Sequence, residues 1–259
     1  MHRRHFLTAL AGFVAAGCSP DRSQRLVVGM ELGYPPFEMK NEQGQPAGVS
    51  VDLATALAEH LRRTLVIENI AFDGLIPALK TGKIDLILSS LTRTEERAQS
   101  IDFSDPYLET GLCLLVNASS GIVSASDLNQ AGRKVAVKKG TTGHTYATTR
   151  LASAQILVLD QESAAVLEVA QGKADAFIYD PFSIFQHWKR HSETTRAILQ
   201  PFQVERWAIG IRKGNTDLAA SVNRFLKGFR ENGGFERLGD RWFQEQKAEM
   251  KKLGLAFAF

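Results

Sequence analysis

The chain has 259 residues, 44% of them hydrophobic and 23% charged, an ordinary globular composition sufficient for one large or two small domains. Its formal charge of +3 includes Arg3 and Arg4 in a leader-like segment, without which 29 basic residues face 28 acidic ones. So even a balance carries no electrostatic footprint for nucleic acid, and that partner class is set aside.

Residues 1–18 read as a signal peptide. A basic start at Arg3 and Arg4 precedes an apolar run from Phe6 to Ala16, too short to span a membrane as a stable helix. HRRHFLT resembles the twin-arginine export motif, with His2 where Ser or Thr is usual. VAAGC (14–18) resembles a lipoprotein cleavage box with Ala15 in place of the usual Leu, which makes Cys18 the expected site of lipidation. An ordinary secretory signal is the alternative. Residues 19–25, SPDRSQR, then form a hydrophilic tether. With Cys18 acylated, Cys113 has no partner thiol; its apolar setting GLCLLV predicts a buried structural cysteine, and no disulfide or cysteine metal site follows.

From residue 26 strands and helices alternate. LVVGM (26–30) predicts a buried strand, and 51–61 a helix with Leu53, Leu57 and Leu61 on one stripe and Ser50 as its cap. LVIENI (65–70) predicts a strand, 73–82 a helix capped by Asp73 and stopped by Gly82, and IDLILSS (84–90) a strand covered on both faces. Further strands are expected at 111–117, 134–140, 155–159, 174–180 and 207–213. Helices are expected from 141, at 163–172 with a Ser cap, from Pro181, at 217–234, and around Trp242 and Phe243. No role beyond packing is assigned to the apolar end, LGLAFAF. This order argues for an α/β fold with mostly parallel sheets.

TGKIDLILSS (81–90) is echoed by QGKADAFIYD (171–180). Each copy ends a strand in polar residues, Ser89 and Ser90 in one, Tyr179 and Asp180 in the other, so two similar lobes would face each other across a cleft. Short extended crossovers near 107–111 and 204–207 divide the chain into lobe 1 (26–107 plus 207–259) and lobe 2 (108–206), joined by a two-strand hinge that permits closure.

GYPPFEMKNEQGQPAGVSVDLATAL, FDGLIPALKTGKIDLILSSLTRTEERAQSIDFSDPY, KVAVKKGTTG and ADAFIYDP together resemble the polar amino-acid-binding proteins of bacterial ABC importers, solute-binding protein family 3, over about residues 26–250. The resemblance implies a two-lobed periplasmic-binding-protein fold of type II closing on one free amino acid. It implies that Arg97 binds the ligand α-carboxylate, whose planar fork suits a guanidinium, together with Thr92 and the backbone N–H of Thr142. Asp180, helped by the Ser90 carbonyl, would take the α-ammonium. Tyr34 and Phe72 would stack on the aliphatic part of the ligand, and Glu31 would face its side chain. Ser89, Lys138, Thr141 and Tyr179 complete the candidate ligand-binding set. Glu31 asks for a donor, which favours a basic or amide side chain.

Other readings of these residues are ordinary. Arg97 could pair with Asp102 or Glu96 on a solvated helix, and Tyr34 and Phe72 could be core aromatics. Asp180 before Pro181 makes a good helix cap, a role compatible with ligand binding because a carboxylate has two oxygens. Lys138 and Lys139 read as solvated, with Lys138 kept as a ligand candidate. His187 and His191 have metal-compatible spacing but no third ligand, and read as a surface pair. GTTG lacks the phosphate-loop pattern, and neither G-x-S-x-G nor H-E-x-x-H occurs, so no catalytic residue and no cofactor is expected.

The reading is an exported, lipid-anchored, monomeric binding protein at the outer face of the cytoplasmic membrane or in the periplasm. Its partners would be a free polar amino acid, the permease subunits of an ABC importer, and the membrane through Cys18. Two rivals stand beside it: a cyclohexadienyl (prephenate or arogenate) dehydratase on the same fold, and a ligand-sensing ectodomain. Committing Arg97 and Asp180 to both head-group charges argues for binding without turnover.

Overall fold

A computed structural model describes residues 24–252; the expectations for the leader, Cys18, the tether up to 23 and the end at 253–259 fall outside the described residues. In chain order the elements are β1 (Arg25–Met30), β2 (Met39–Lys40), β3 (Pro46–Ala47), α1 (Val49–His60), β4 (Thr64–Asn69), α2 (Leu75–Lys80), β5 (Leu86–Ile87), α3 (Glu95–Ser100) and β6 (Asp102–Phe103). There follow β7 (Leu108–Asn117), β8 (Lys134–Lys138), α4 (Thr142–Arg150), β9 (Gln155–Leu159), α5 (Glu162–Ala170), β10 (Ala176–Tyr179), α6 (Pro181–Arg190) and β11 (Thr195–Trp207). The chain then runs through β12 (Gly210–Ile211), α7 (Thr216–Glu231), α8 (Gly234–Trp242) and α9 (Gln244–Lys252).

Two five-stranded sheets organise two lobes, one in the order β4-β1-β5-β12-β6 and the other β11-β7-β10-β8-β9. The parallel core expected from the strand–helix alternation is present in each, as β4-β1-β5 and β10-β8-β9. Antiparallel strands extend each sheet on one side. Both sheets are buried on two faces, and the period of two decides which core each side chain enters. Leu26, Val28 and Met30 pack with Leu53, Leu57, Val222 and Phe225, whereas Val27 packs with Leu75, Leu79 and Ile84. Likewise Leu112, Leu114 and Val116 enter one core of the second lobe and Cys113 and Leu115 the other. Cys113 is fully buried, as expected, and burial raises its thiol pKa well above the usual range.

The sequence echo is a structural one. Gly82 and Gly172 sit just beyond α2 and α5 at φ +76° and +71°, a left-handed geometry that glycine adopts without the penalty a Cβ brings. Three residues on, Asp85 accepts from Val27 N at 2.9 Å and Asp175 from Lys134 N at 2.7 Å. Each aspartate therefore fastens the second strand of its repeat to the neighbouring parallel strand, β5 to β1 and β10 to β8.

The lobes are joined where β7 and β11 pair antiparallel, from Thr195↔Asn117 to Trp207↔Leu108, with a bulge between Ile198 and Gln203. The far end of β11 enters the first lobe, since Trp207 bridges Thr92 and Ala208 N donates to Leu91 O. Several local expectations need correction. Ser50 does not cap α1, whose cap is Gly48; Ser50 lies inside the helix and donates to Glu38. Asp73 does not cap α2 but lies in a 3-10 turn and pairs with Lys139 at 2.8 Å. Ser163 lies within α5, whose cap is Gln161. The strand expected at 207–213 is only Gly210–Ile211, because 207 belongs to the thirteen-residue β11, which the sequence did not suggest.

Candidate ligand-binding cleft

One cleft between the lobes is lined by every residue of the sequence-based site, from Glu31, Tyr34 and Phe72 on one side to Tyr179 and Asp180 on the other. From the first lobe, Glu31 follows β1, with its N–H bonded to Ser89 Oγ at 3.0 Å. Phe72 opens the 3-10 turn before α2, Ser89 and Ser90 follow β5, and Thr92 and Arg97 flank the start of α3. Thr94 fixes that start, accepting from Arg97 N at 3.1 Å.

From the second lobe, Lys138 ends β8 and Thr141 caps α4, accepting from His144 N. Thr142 is the first residue of α4, so its N–H has no partner within the helix and, with the helix dipole, favours an anion. Gly143 beside it permits close packing: a Cβ there would lie 2.8 Å from Ile178 O on β10. Tyr179 ends β10, and Asp180 caps α6 with Oδ1, which accepts from Phe182 N at 3.0 Å and Ser183 N at 3.2 Å. The capping role foreseen for Asp180 is therefore present and uses one carboxylate oxygen.

The cleft is shut, and its polar groups clasp each other across it. Arg97 donates to Thr92 O at 2.7 Å and across the cleft to Gly140 O at 2.9 Å. It pairs with neither Asp102, which is held by Lys213, nor Glu96. Lys138, expected to be solvated, is buried and ion-paired with Glu31 of the opposite lobe, their side chains 3% and 12% exposed. Lys139 remains half exposed. Arg97 and Lys138 also lie over the Phe72 ring, at 5.6 and 5.7 Å from its centre. Tyr34 stacks on Phe37 at 5.2 Å and meets Tyr179 and Trp207 edge-on, and its buried hydroxyl faces the Asp180 carboxyl, whose pKa it lowers.

Sequence reasoning missed two buried acids in this cleft. Glu38 is fully buried and accepts from Ser50 Oγ at 2.5 Å and Ser90 Oγ at 2.9 Å. Ser90 is held at φ +49°, a left-handed conformation unusual for a non-glycine residue. Burial pushes the Glu38 carboxyl up to about 8, although both serine hydrogen bonds pull it down. Glu205, on β11, accepts from Thr92 Oγ1 at 2.9 Å and Thr142 Oγ1 at 3.0 Å. Gln203, Glu205 and Trp207 alternate as one strand face, the signal that could have found it had β11 been read as a strand. Burial also raises Asp180 to about 7, with the charge of Glu162 adding to the effect. Glu162 is itself bonded by Ser183 and by His187 at 2.7 Å, so His187 is an internal residue rather than half of a surface pair. No cluster of metal-ligating side chains occurs among the described residues.

A match to the family described as bacterial extracellular solute-binding proteins, family 3, spans residues 26–245. The L-arginine-binding protein of Pseudomonas aeruginosa is 33% identical over 226 residues, 83% of this chain and 86% of that one. The ABC transporter glutamine-binding protein GlnH of Bacillus subtilis is 29% identical over 231 residues, 88% and 84% of the two chains. Among solved structures, the ancestral amino-acid-binding protein AncCDT-1, a precursor of cyclohexadienyl dehydratase, superposes with a TM-score of 0.78 at 36% identity, covering 85% of this chain and 96% of its own. These relatives are named as binding proteins rather than enzymes, including the precursor of the dehydratase. The match, the two hinged lobes and the shared cleft make the chain a member of the bacterial extracellular solute-binding proteins, family 3.

Proposed function

We propose that this protein captures a free polar α-amino acid between its lobes and delivers it to the membrane subunits of an ABC importer. The observation that carries the reading is a single buried cleft with a cationic pole at Arg97 and an anionic pole at Asp180, on opposite lobes. A zwitterionic head group spanning them touches both lobes at once. Only such a ligand distinguishes the shut from the open form, and only differential affinity can shift that equilibrium. Arg97 and the Thr142 N–H receive the carboxylate, Asp180 and the Ser90 carbonyl the ammonium, and Tyr34 and Phe72 flank the aliphatic part.

The side chain of the ligand meets a neutralised pair. A basic ligand would add a second cation beside Lys138, whereas a carboxamide can accept from Lys138 and donate to Glu31, satisfying both. Of the basic and amide side chains compatible with Glu31 alone, the amide is favoured. Relatives named for arginine and for glutamine bracket these two choices. Among the described residues the lobes are assigned as 26–107 with 207–252, and 108–206. A monomer tethered through a lipid on Cys18 fits the leader sequence, and no described helix is long and apolar enough to cross a membrane.

A thermal-shift screen of ligand-stripped protein against the common amino acids tests the reading. A ligand at a thousandfold excess over its Kd stabilises by about 4 kcal/mol, and glutamine or asparagine should give the largest shift. Absence of a shift with every amino acid would overturn the function, and a largest shift with arginine or lysine would overturn the amide assignment alone.

A further inference from the structure

The two threonines nearest the carboxylate pole have already committed their hydroxyl protons. Thr92 on the first lobe and Thr142 on the second both donate to one oxygen, Glu205 Oε2, at 2.9 and 3.0 Å. A hydroxyl has a single proton, so neither can at the same time donate to a ligand carboxylate. Glu205 is 6% exposed, and its other oxygen accepts from Gln203 Nε2 at 3.1 Å. Its charge acts on Arg97 nearby, raising a guanidinium pKa that burial otherwise lowers. The residue belongs to β11, the strand that pairs with β7 and passes from one lobe into the other.

We propose that Glu205 is a positioning residue that clasps the lobes: one oxygen of a carboxylate on the crossing strand takes a hydroxyl from each lobe and stabilises the shut form before a ligand arrives. Both bonds form together only when Thr92 and Thr142 converge, so Glu205 rewards closure in the empty protein. It also leaves the ligand carboxylate to donors not engaged by Glu205, the Arg97 guanidinium and the N–H groups at the start of α4. Charge-assisted hydrogen bonds favour the shut form more than neutral ones would. Apparent affinity rises with the fraction of protein already in the competent form.

The ligand readout rests on the amino-acid-binding reading, but a ligand-free readout does not. Small-angle scattering of the stripped full chain should show a larger radius of gyration for Glu205→Ala than for the wild type, with Glu205→Gln between them because it keeps an acceptor oxygen. In titration calorimetry with the amino acid giving the largest thermal shift, Thr142→Val should weaken binding about tenfold in the wild-type background and less than twofold in the Glu205→Ala background. The backbone N–H of residue 142 is the same in both, so the cycle isolates the hydroxyl. Equal cost of Thr142→Val in the two backgrounds would assign its hydroxyl to the ligand and overturn the proposal. So would identical scattering of stripped wild type and Glu205→Ala. Wild-type protein that binds no amino acid would sink the functional reading and leave the scattering arm to decide the clasp.

Discussion

Lys138 of the second lobe is ion-paired with Glu31 of the first, and both side chains are nearly withdrawn from water. Removing one partner of a buried pair leaves an uncompensated charge, which costs more than the pair itself contributes. Lys138→Leu should therefore turn the side-chain end of the cleft into an anionic site. Affinity for arginine or lysine should rise relative to glutamine by about tenfold or more, read by calorimetry with both ligand types. A ratio unchanged from wild type would place the ligand side chain elsewhere.

Asp180 makes binding sensitive to pH. Burial and Glu162 hold its carboxyl near 7, so at lower pH it is protonated in the empty cleft, yet pairing with an ammonium requires the carboxylate. Binding below pH 7 should release a proton, and affinity should fall as pH drops, towards tenfold per unit. Calorimetry in two buffers of different ionisation enthalpy counts the proton. Heats that agree in both buffers at pH 6 would contradict this coupling.

Glu38 governs stability instead. Its folded-state value of about 8 lies above the unfolded reference of 4.5, so between these values the native state holds a proton that the unfolded state has lost. Stability is thus fully present below about pH 4.5 and declines as pH rises through 8, by at most about 1.4 kcal/mol per unit. Asp180 contributes with the same sign up to about 7, so the decline above pH 7 belongs to Glu38. Glu38→Gln, which keeps an acceptor for Ser50 and Ser90, should flatten urea-unfolding free energies between pH 7 and 8; an unchanged slope would exclude Glu38 as the source.

In the proposed binding mode Arg97 is the cation that meets the ligand carboxylate, and in the structure it donates across the cleft to Gly140 O. Lysine retains the charge but not the fork. Arg97→Lys and Arg97→Ala should both lose ligand affinity by about a hundredfold or more, with far-ultraviolet circular dichroism unchanged. Near-wild-type binding by the lysine variant would show that a point charge suffices.

The alternating strands and helices were legible because their signals are local: near-continuous apolar runs in β1 and β7, Pro181 after Asp180, Gly82 and Gly172 after their helices. Twelve of the residues lining the cleft were legible through contiguous motifs, TEER and KKGTTG among them. Glu205 was not, because its role depends on a strand whose residues towards the C-terminal end, such as Val204 and Glu205, are too exposed or too polar to announce a buried element. Lys138 was misjudged for a related reason. A lysine at a strand end is normally solvated, and only a glutamate 107 positions earlier makes burial tolerable. Ser50 and Asp73 satisfy the cap pattern, yet tertiary partners, Glu38 and Lys139, claim their side chains.

The place of β12 between β5 and β6 in the first sheet has a consequence for the order in which the protein acquires its structure. Strands β5 and β6 are neighbours in sequence but are held apart in space by β12, whose residues Gly210 and Ile211 come more than a hundred positions later. The second lobe, in contrast, draws its whole sheet from 108–207. Short-range closures form sooner than long-range ones, so the lobe encoded in the middle of the chain should mature first, and the lobe holding the first strand should wait for the last quarter. Pulse-labelled hydrogen exchange during refolding should find Val135 and Phe177 protected before Val28 and Ile87. The N-terminal half of the cleft is thus the last part of the protein to become able to bind.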